Sequence, residues 1–328
     1  MAILQGISGL QIGDGQGGKV ALSLQTRVLR ILADNVLSYA TATANNPSSV
    51  KAGTASYYVP ELIQTEDYGD GSTAPQKPNA GLVSFNLDSR GVAKYDIETF
   101  DIERLNEADY ILGQIATGLA MSIQATLNAS FFNYLATQFK GNLSTQKIEL
   151  EKVVDADPTM TPEQARKDLL TLEYKYNEIN QTFDKNKLGV AKADIMCILA
   201  PVVDTGLRNA FWNQPGSIGN FVISKTLSGT QLGNIKYTVD PMLNKSITAG
   251  SSFSKDKEFD FSKIYGFMFH NEAIAMPINL NTIMQTVDPN TGNPRFIAKF
   301  QYGIGIIRPK LCFIILKQGQ ALIRSKEK

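Results

Sequence analysis

The residues of this 328-residue chain with chemical potential are few: one histidine, two cysteines, two acidic turn segments and one glycine cluster. A single histidine excludes a histidine-based metal cluster within one chain. A Ser–His–Asp relay would have to run through His270, which follows Phe269 in an alternating strand pattern. A packed structural histidine is the expectation there. Cys197 and Cys312 each sit inside an apolar run, Ile195 to Leu199 and Leu311 to Ile314, so both are expected as small buried hydrophobes. Residues Gly13, Gly15 and Gly18 match the bare glycine spacing of a dinucleotide loop. No buried strand precedes them, and no second strand ending in an acid follows Lys19, so no cofactor is expected. The segments Asp67 to Ser72 and Asp288 to Asn293 lack the ligand spacing of a calcium loop and read as turns. Glu103 and Glu107 share a helix face, where they complement the helix dipole. No phosphate-binding Gly-Lys-Ser/Thr loop occurs. The chemistry excludes more than it proposes, and the chain is expected not to be an enzyme, with no catalytic, cofactor or metal residues.

The elements that would position any site carry more information. The hydrophobic fraction is 43%, ordinary for a folded protein, and the charged fraction is 19%, below the usual value of about 25%. A surface poor in charge suits large protein contacts, because charges are costly to desolvate. Compositional drift explains it equally well. The net charge is +1, and only Arg324 to Lys328 forms a short cationic tail. Sequence-specific or tight DNA binding is not expected without a basic stripe or arm. Met1 to Leu4 has no basic and apolar leader pattern, and no run of about 18 apolar residues predicts a membrane span.

Along the chain, residues 1–26 read as an extended arm broken by glycines. Leu24, Val28, Ile31, Leu32 and Val36 then recur at helical spacing. Two strand patterns, Tyr57 to Thr65 and Leu82 to Leu87, flank the turn-rich stretch Tyr68 to Gly81, which predicts a projecting hairpin. A two-stranded hairpin is marginal alone in water, so it is expected to lie on something else. A strand over Val92 to Phe100 leads into one long amphipathic helix from about Asp101, its N-cap, to about Gln138, on the order of 50 Å long. Gly113 and Gly118 in its interior predict a gentle bend or a close crossing. Residues 139–160 read as a polar connection. Thr161 and Pro162 open a second helix to about Phe183. A buried strand over Ala193 to Ala200, a helix from Pro201 to Trp212, a flexible loop over Thr248 to Asp260 and a strand over Ile264 to Met276 follow. The chain closes with a long hairpin, Ile278 to Val287 and Arg295 to Ile307, and a final strand over Lys310 to Leu316.

This order of elements resembles the HK97-type major capsid protein of tailed bacteriophages over nearly the whole chain. Four stretches carry the likeness. Ala193 to Pro201 is similar to the strand-then-helix entry of that family's axial domain. Leu232 to Asp240 resembles its glycine, short strand and acidic turn. Tyr265 to Ala275 is similar to its late axial strand, and Gly303 to Ile314 to its closing strand, Arg-Pro, strand pattern. The resemblance implies an α+β, HK97-like capsid fold with an N-terminal arm, an extended β-hairpin loop, a peripheral domain with a long spine helix, and an axial α/β domain. It divides the chain into arm and helix (1–45), extended loop (46–96), peripheral domain (97–189 and 277–309) and axial domain (190–276 and 310–328).

It also implies a function. The chain would assemble with itself into the hexamers and pentamers of an icosahedral shell. That shell would be built in the host cytoplasm, enclose double-stranded DNA without reading its sequence, and become part of the virion. Scaffold, portal and decoration proteins are partners the family allows, and no membrane is involved. An arm that begins near Met1 implies that any scaffold is a separate protein or absent. Tyr68, Asp70, Lys77 and Asn79 at the hairpin tip would touch a neighbouring subunit. Ser251, Phe253 and Lys255 would form the axial tip loop at the capsomer centre. Some members join subunits by a Lys–Asn isopeptide, but no partner for Lys77 is identifiable here. The alternative is an encapsulin-like nanocompartment shell around protein cargo.

Overall fold

The computed structural model describes residues 24, 26–28, 30–31, 49–51, 54–59, 81–96, 108–157, 159–185, 195–212, 223–226, 229–232, 235–251, 258–280, 283–320 and 322. In chain order its first strands are β1 (Ser49–Lys51), β2 (Thr54–Val59), β3 (Gly81–Asn86) and β4 (Ser89–Asp96). Helix α1 (Ala108–Lys140), β5 (Lys147–Leu150) and helix α2 (Pro162–Lys185) follow. Then come β6 (Ile195–Leu199), α3 (Pro201–Trp212), β7 (Ile223–Thr226), β8 (Gly229–Leu232) and β9 (Ile235–Val239). The last part holds β10 (Ser246–Ile247), β11 (Phe259–Asp260), β12 (Gly266–His270), β13 (Ile274–Ala275), β14 (Ile278–Leu280), β15 (Met284–Val287), β16 (Pro294–Tyr302), β17 (Gly305–Ile306) and β18 (Cys312–Lys317). The class is α+β.

The main core surrounds a seven-stranded mixed sheet in the order β5-β18-β12-β6-β9-β8-β7. Its middle strands are continuous apolar runs: Phe-Met-Phe in β12 and Cys-Phe-Ile-Ile-Leu in β18 are buried at every position. A strand buried on both faces needs such a run rather than alternation. Helices cover each side. Phe267 and Phe269 of β12 point toward α1, where they meet Phe132 and Phe131 at 5.7 and 6.0 Å. Phe313 of β18 pairs with Met268, on the opposite face, and there Lys175 of α2 lies over its ring at 5.1 Å. The order of layers is therefore α1, sheet, α2. The stretch 139–160, expected as a polar connection, supplies β5, which joins the sheet edge parallel to β18. Four residues are too few for their alternation to stand out in sequence.

A second sheet forms the body beside it. β16 is its centre, paired with β4 along one side and with β15 and then β14 along the other. Its inner face, Phe296, Ala298, Phe300 and Tyr302, is buried. The Ser130 and Tyr302 hydroxyls, 2.8 Å apart, join α1 to it.

Helix α1 serves both sheets in succession. Its first half buries Ile115, Ala116, Leu119, Ala120 and Ile123, and its second half buries Leu127, Phe131, Phe132, Leu135, Ala136 and Phe139. At 100° per residue the buried arc turns by roughly 140° between the halves. The expected single amphipathic stripe is thus two stripes on different sides. The expected start at Asp101, with its N-cap, Glu103 and Glu107, lies outside the described residues. The helix ends at Lys140, where the Gly141 and Leu143 amides both donate to Gln138 O at 3.1 Å.

The two helix glycines differ. A Cβ on Gly118 would collide with the Tyr95 ring of β4, so this position is a close crossing. Among the described residues a Cβ on Gly113 would meet nothing within 4 Å, and none of them explains that glycine. Opposite effects are expected. Gly113→Ala gains helix propensity, about 1 kcal/mol. Gly118→Ala must displace Tyr95, and overpacking of about 1–3 kcal/mol outweighs that gain. Urea midpoints of the two variants should move in opposite directions, and a stabilised Gly118→Ala would refute the crossing.

Strand expectations hold in place and differ in extent. The predicted strand Ile264 to Met276 is two strands. Ala273 N donates to His270 O at 2.9 Å, making a turn that passes the chain from β12 to β13, paired with β17. The Asp288 to Asn293 segment is the turn between β15 and β16, with Gly292 at φ 73°. Leu24 and Val28 are helical and fully buried in the main core. The arm before them and the Gly13 to Gly18 cluster lie outside the described residues.

Candidate functional site

The hairpin expected to reach a neighbour is described at its root. β2 and β3 pair antiparallel from Thr54↔Asn86 to Val59↔Gly81, and β1 adds a third strand. This sheet has its own small cluster: Ala55, Tyr57 and Leu87 packed with Ala275, with Phe85 and Ile307 at its edge. The Phe85 ring lies directly on Gly305 of β17, where any Cβ would overlap it. Burial raises the Tyr57 hydroxyl pKa far above its ordinary value. The root is thus clamped to the body. Tyr68, Asp70, Lys77 and Asn79 lie outside the described residues.

Of the expected tip loop, Ser251 is described and half-buried, while Phe253 and Lys255 lie outside the described residues. Among the described residues the Ser251 Oγ is enclosed without a hydrogen-bond partner, and its amide donates to Thr248 O at 3.3 Å. Asp260, at the loop's far foot, accepts from Ser262 Oγ at 2.6 Å, Ser262 N at 3.0 Å and Ser246 Oγ at 3.2 Å. The Ser262 bonds hold its carboxyl below the usual range.

The chemically capable residues are occupied structurally. His270 is buried, and its Nδ1 accepts from Glu272 N at 3.1 Å. Cys197 and Cys312 are free and buried, and desolvation pushes both thiols well above their ordinary pKa. Asp204 accepts from Tyr237 Oη at 2.7 Å and Arg208 Nε at 2.8 Å, which ties α3 to β9. Among the described residues no three His, Cys, Asp or Glu groups are placed to hold a metal. No described helix is long and apolar enough to cross a membrane.

Two surfaces went unremarked in the sequence. The run 111–139 contains no Asp, Glu, Lys or Arg. At the chain's overall 19% such a run would hold about five. Its exposed positions include Thr117, Met121, Ser122, Thr126, Asn133 and Thr137. The hydroxyls of Thr117, Thr126 and Thr137 donate to carbonyls four residues back, at 2.9, 3.2 and 2.8 Å. Their methyl groups are left to the stripe, and Met121 is 63% exposed. By contrast α2 is charged throughout. The absence of charge was legible in the sequence; the exposure was not. The second surface is the outer face of the body sheet, on which Val92 and Met284 stand exposed.

No protein-family model matches the sequence, and no curated protein does. Several solved structures are similar to it. The capsid of Cyanophage P-SCSP1u is 14% identical, over 83% of this chain and 85% of that one, with a TM-score of 0.47. The capsid of Ralstonia phage GP4 is 11% identical, over 84% and 87%, with a TM-score of 0.47. A virus-like particle from Pyrococcus furiosus is 11% identical, over 89% and 97%, with a TM-score of 0.44.

Proposed function

We propose that the chain is the subunit of a closed protein shell, an HK97-type major capsid protein that encloses a phage double-stranded DNA genome. The observation that carries this reading is the hairpin. Among the described residues it is a three-stranded sheet, clamped at its root by a cluster of six side chains, four of them buried. A single layer needs a second surface to bury its faces, and a neighbouring subunit supplies one. The charge-free exposed stripe of α1 supports the same reading, since it can be covered without desolvating a charge. In this reading residues 46–96 are the extended loop and α1 is the spine of a peripheral domain formed by 97–189 and 277–309. Residues 190–276 and 310–328 are the axial domain, with Ser251, Phe253 and Lys255 at its tip. Assembly proceeds in the host cytoplasm, with scaffold, portal and decoration proteins as further partners.

Electron microscopy of the purified, overexpressed protein tests the class: uniform closed particles are expected, and a monodisperse monomer sinks it. Deleting Gly69 to Gly81 should leave a folded subunit that assembles poorly. Normal particles from that deletion would remove the hairpin's role. The encapsulin-like alternative is a shell around protein cargo, and a net charge of +1 with one short cationic tail, Arg324 to Lys328, fits it because such a surface attracts packaged DNA weakly. Nuclease-protected DNA inside native particles decides for the phage genome, and a co-purifying enzyme for the compartment.

A further inference from the structure

Besides running along α1, the chain passes between the seven-stranded sheet and the β13–β17 pair twice: out of β12 through residues 271–273, and into β18 through residues 307–311. These two passages are tied to each other. The Ile307 and Arg308 amides both donate to Ala273 O, at 2.8 and 3.2 Å. Arg308 Nη2 meets Glu272 Oε2 at 3.2 Å, and the Cys312 thiol donates to Arg308 O at 3.9 Å. The first passage is itself pinned at His270, whose carbonyl accepts from Ala273 N at 2.9 Å and whose Nδ1 accepts from Glu272 N at 3.1 Å. The hairpin root begins next to this knot, since Ala275 and Ile307 belong to the cluster that clamps it.

His270 is the one histidine of the chain and is 4% exposed. Imidazole is the side chain that ordinarily changes charge near neutrality. An Nδ1 that accepts an N–H carries no proton. A proton there sets two donors against each other in a buried place. The surroundings do not absorb the new charge. In β6 the partner of His270 is Ile195, and β18 begins beside it at Cys312, after Leu311. Helix α2 covers the face of β12 that carries Met268 and His270, and it brings Lys175 and Glu178, bonded to each other at 2.7 Å. With Arg308 and Lys310 from the second passage, three cations stand against the two carboxylates Glu272 and Glu178, and both carboxylates are already paired. Asn271 Oδ1, in the same turn, is enclosed without a hydrogen-bond partner among the described residues, an acceptor that the neutral ring leaves unused.

We propose that this junction is a proton-operated catch. Neutral His270 holds the 270–273 turn against 307–308. Protonation of Nδ1 releases the Glu272 amide, loosens the tie between the two passages, and frees the hairpin root to shift against the seven-stranded sheet. The bond exists only with the neutral ring, so its contribution is full above the ordinary imidazole value of about 6.5 and is lost as pH falls below it. The catch rests on the junction alone and goes beyond the shell reading. In a shell, mild acid would change the angle at which each hairpin is presented.

Hydrogen exchange of the full chain tests it at about pH 7.5 and about pH 5.5, on either side of that value. Rates are read as protection factors, which removes the intrinsic pH dependence of exchange. Segments 271–275 and 305–308 are expected to lose protection by about tenfold or more at the lower pH, and α1 to stay within about threefold. His270→Asn keeps a side-chain acceptor two residues before the Glu272 amide and does not titrate, so its junction should stay protected at both pH values. Equal protection of the wild-type junction at the two pH values overturns the catch, and this comparison needs no variant. An equal loss in His270→Asn assigns the effect to other groups and also overturns it. Loss along the whole chain, α1 included, means that acid unfolds the protein as one unit and overturns a local release. Particle formation, followed separately by microscopy, bears on the shell reading and leaves the catch untouched.

Discussion

Asp168→Ala is expected to destabilise the fold by about 3–5 kcal/mol, among the largest effects of any single substitution in this chain. Asp168 lies on α2 and is 2% exposed. Its two oxygens accept three backbone N–H groups, those of Glu151, Lys152 and Val153, each at 2.8 Å. These amides form the bend between β5 and the 3-10 turn Val153–Asp155. With that turn clasped, the Val153 carbonyl comes close enough to α3 that a Cβ on Gly206 would overlap it. One carboxylate thus locks a sheet edge and two helices. Alanine leaves three amide donors without an acceptor in a largely buried place, and each costs about 1–3 kcal/mol unless water reaches it. Asp168→Asn should fall between alanine and wild type, because one of its two terminal atoms is a donor facing donors. Urea midpoints at constant m-value measure both. An asparagine variant as stable as wild type would show that the clasp does not depend on two acceptor oxygens.

Phe132→Ala is expected to cost about 3–5 kcal/mol by removing a large ring from a dense site. Phe132 is fully buried on α1, stacked on Phe267 at 5.7 Å and 4°. Phe131 and Phe261 meet it edge-on at 5.7 and 6.1 Å. The cavity would open between α1 and β12, in the middle of the main core, where β12 cannot move without breaking strand pairing on both of its sides. Phe132→Leu should recover about half of the loss, since it refills part of the volume. The same measurement checks it, and a loss below about 1 kcal/mol for alanine would mean that the site collapses freely.

The elements legible in the sequence were those whose signal is local. Pro162 and Pro201 opened their helices where expected, because proline fixes its own φ whatever surrounds it. Two cysteines inside apolar runs proved buried for the same reason: strand period and hydrophobicity are properties of neighbours in the chain. β5 was missed because four residues carry too little pattern. The break after His270 was missed because the apolar character of Ala273 to Met276 continues across the turn.

The outer face of the body sheet was not legible at all, for a different reason. Arg295 and Asp96 are 199 residues apart, and the fork between them exists because β16 chose one register against β4. A shift of β16 by one residue against β4 would turn Lys299 inward and Phe300 outward while Lys94 stayed where it is. Charges at alternate positions in two distant segments look scattered until that register is fixed. Helix α1 shows the same division within one element. The sequence by itself determined that residues 111–139 form a long helix without charge, since spacing and composition are local facts. Which side is buried was decided only by tertiary structure: the first half packs on the body sheet and the second on the seven-stranded sheet, and those two surfaces face the helix from different directions.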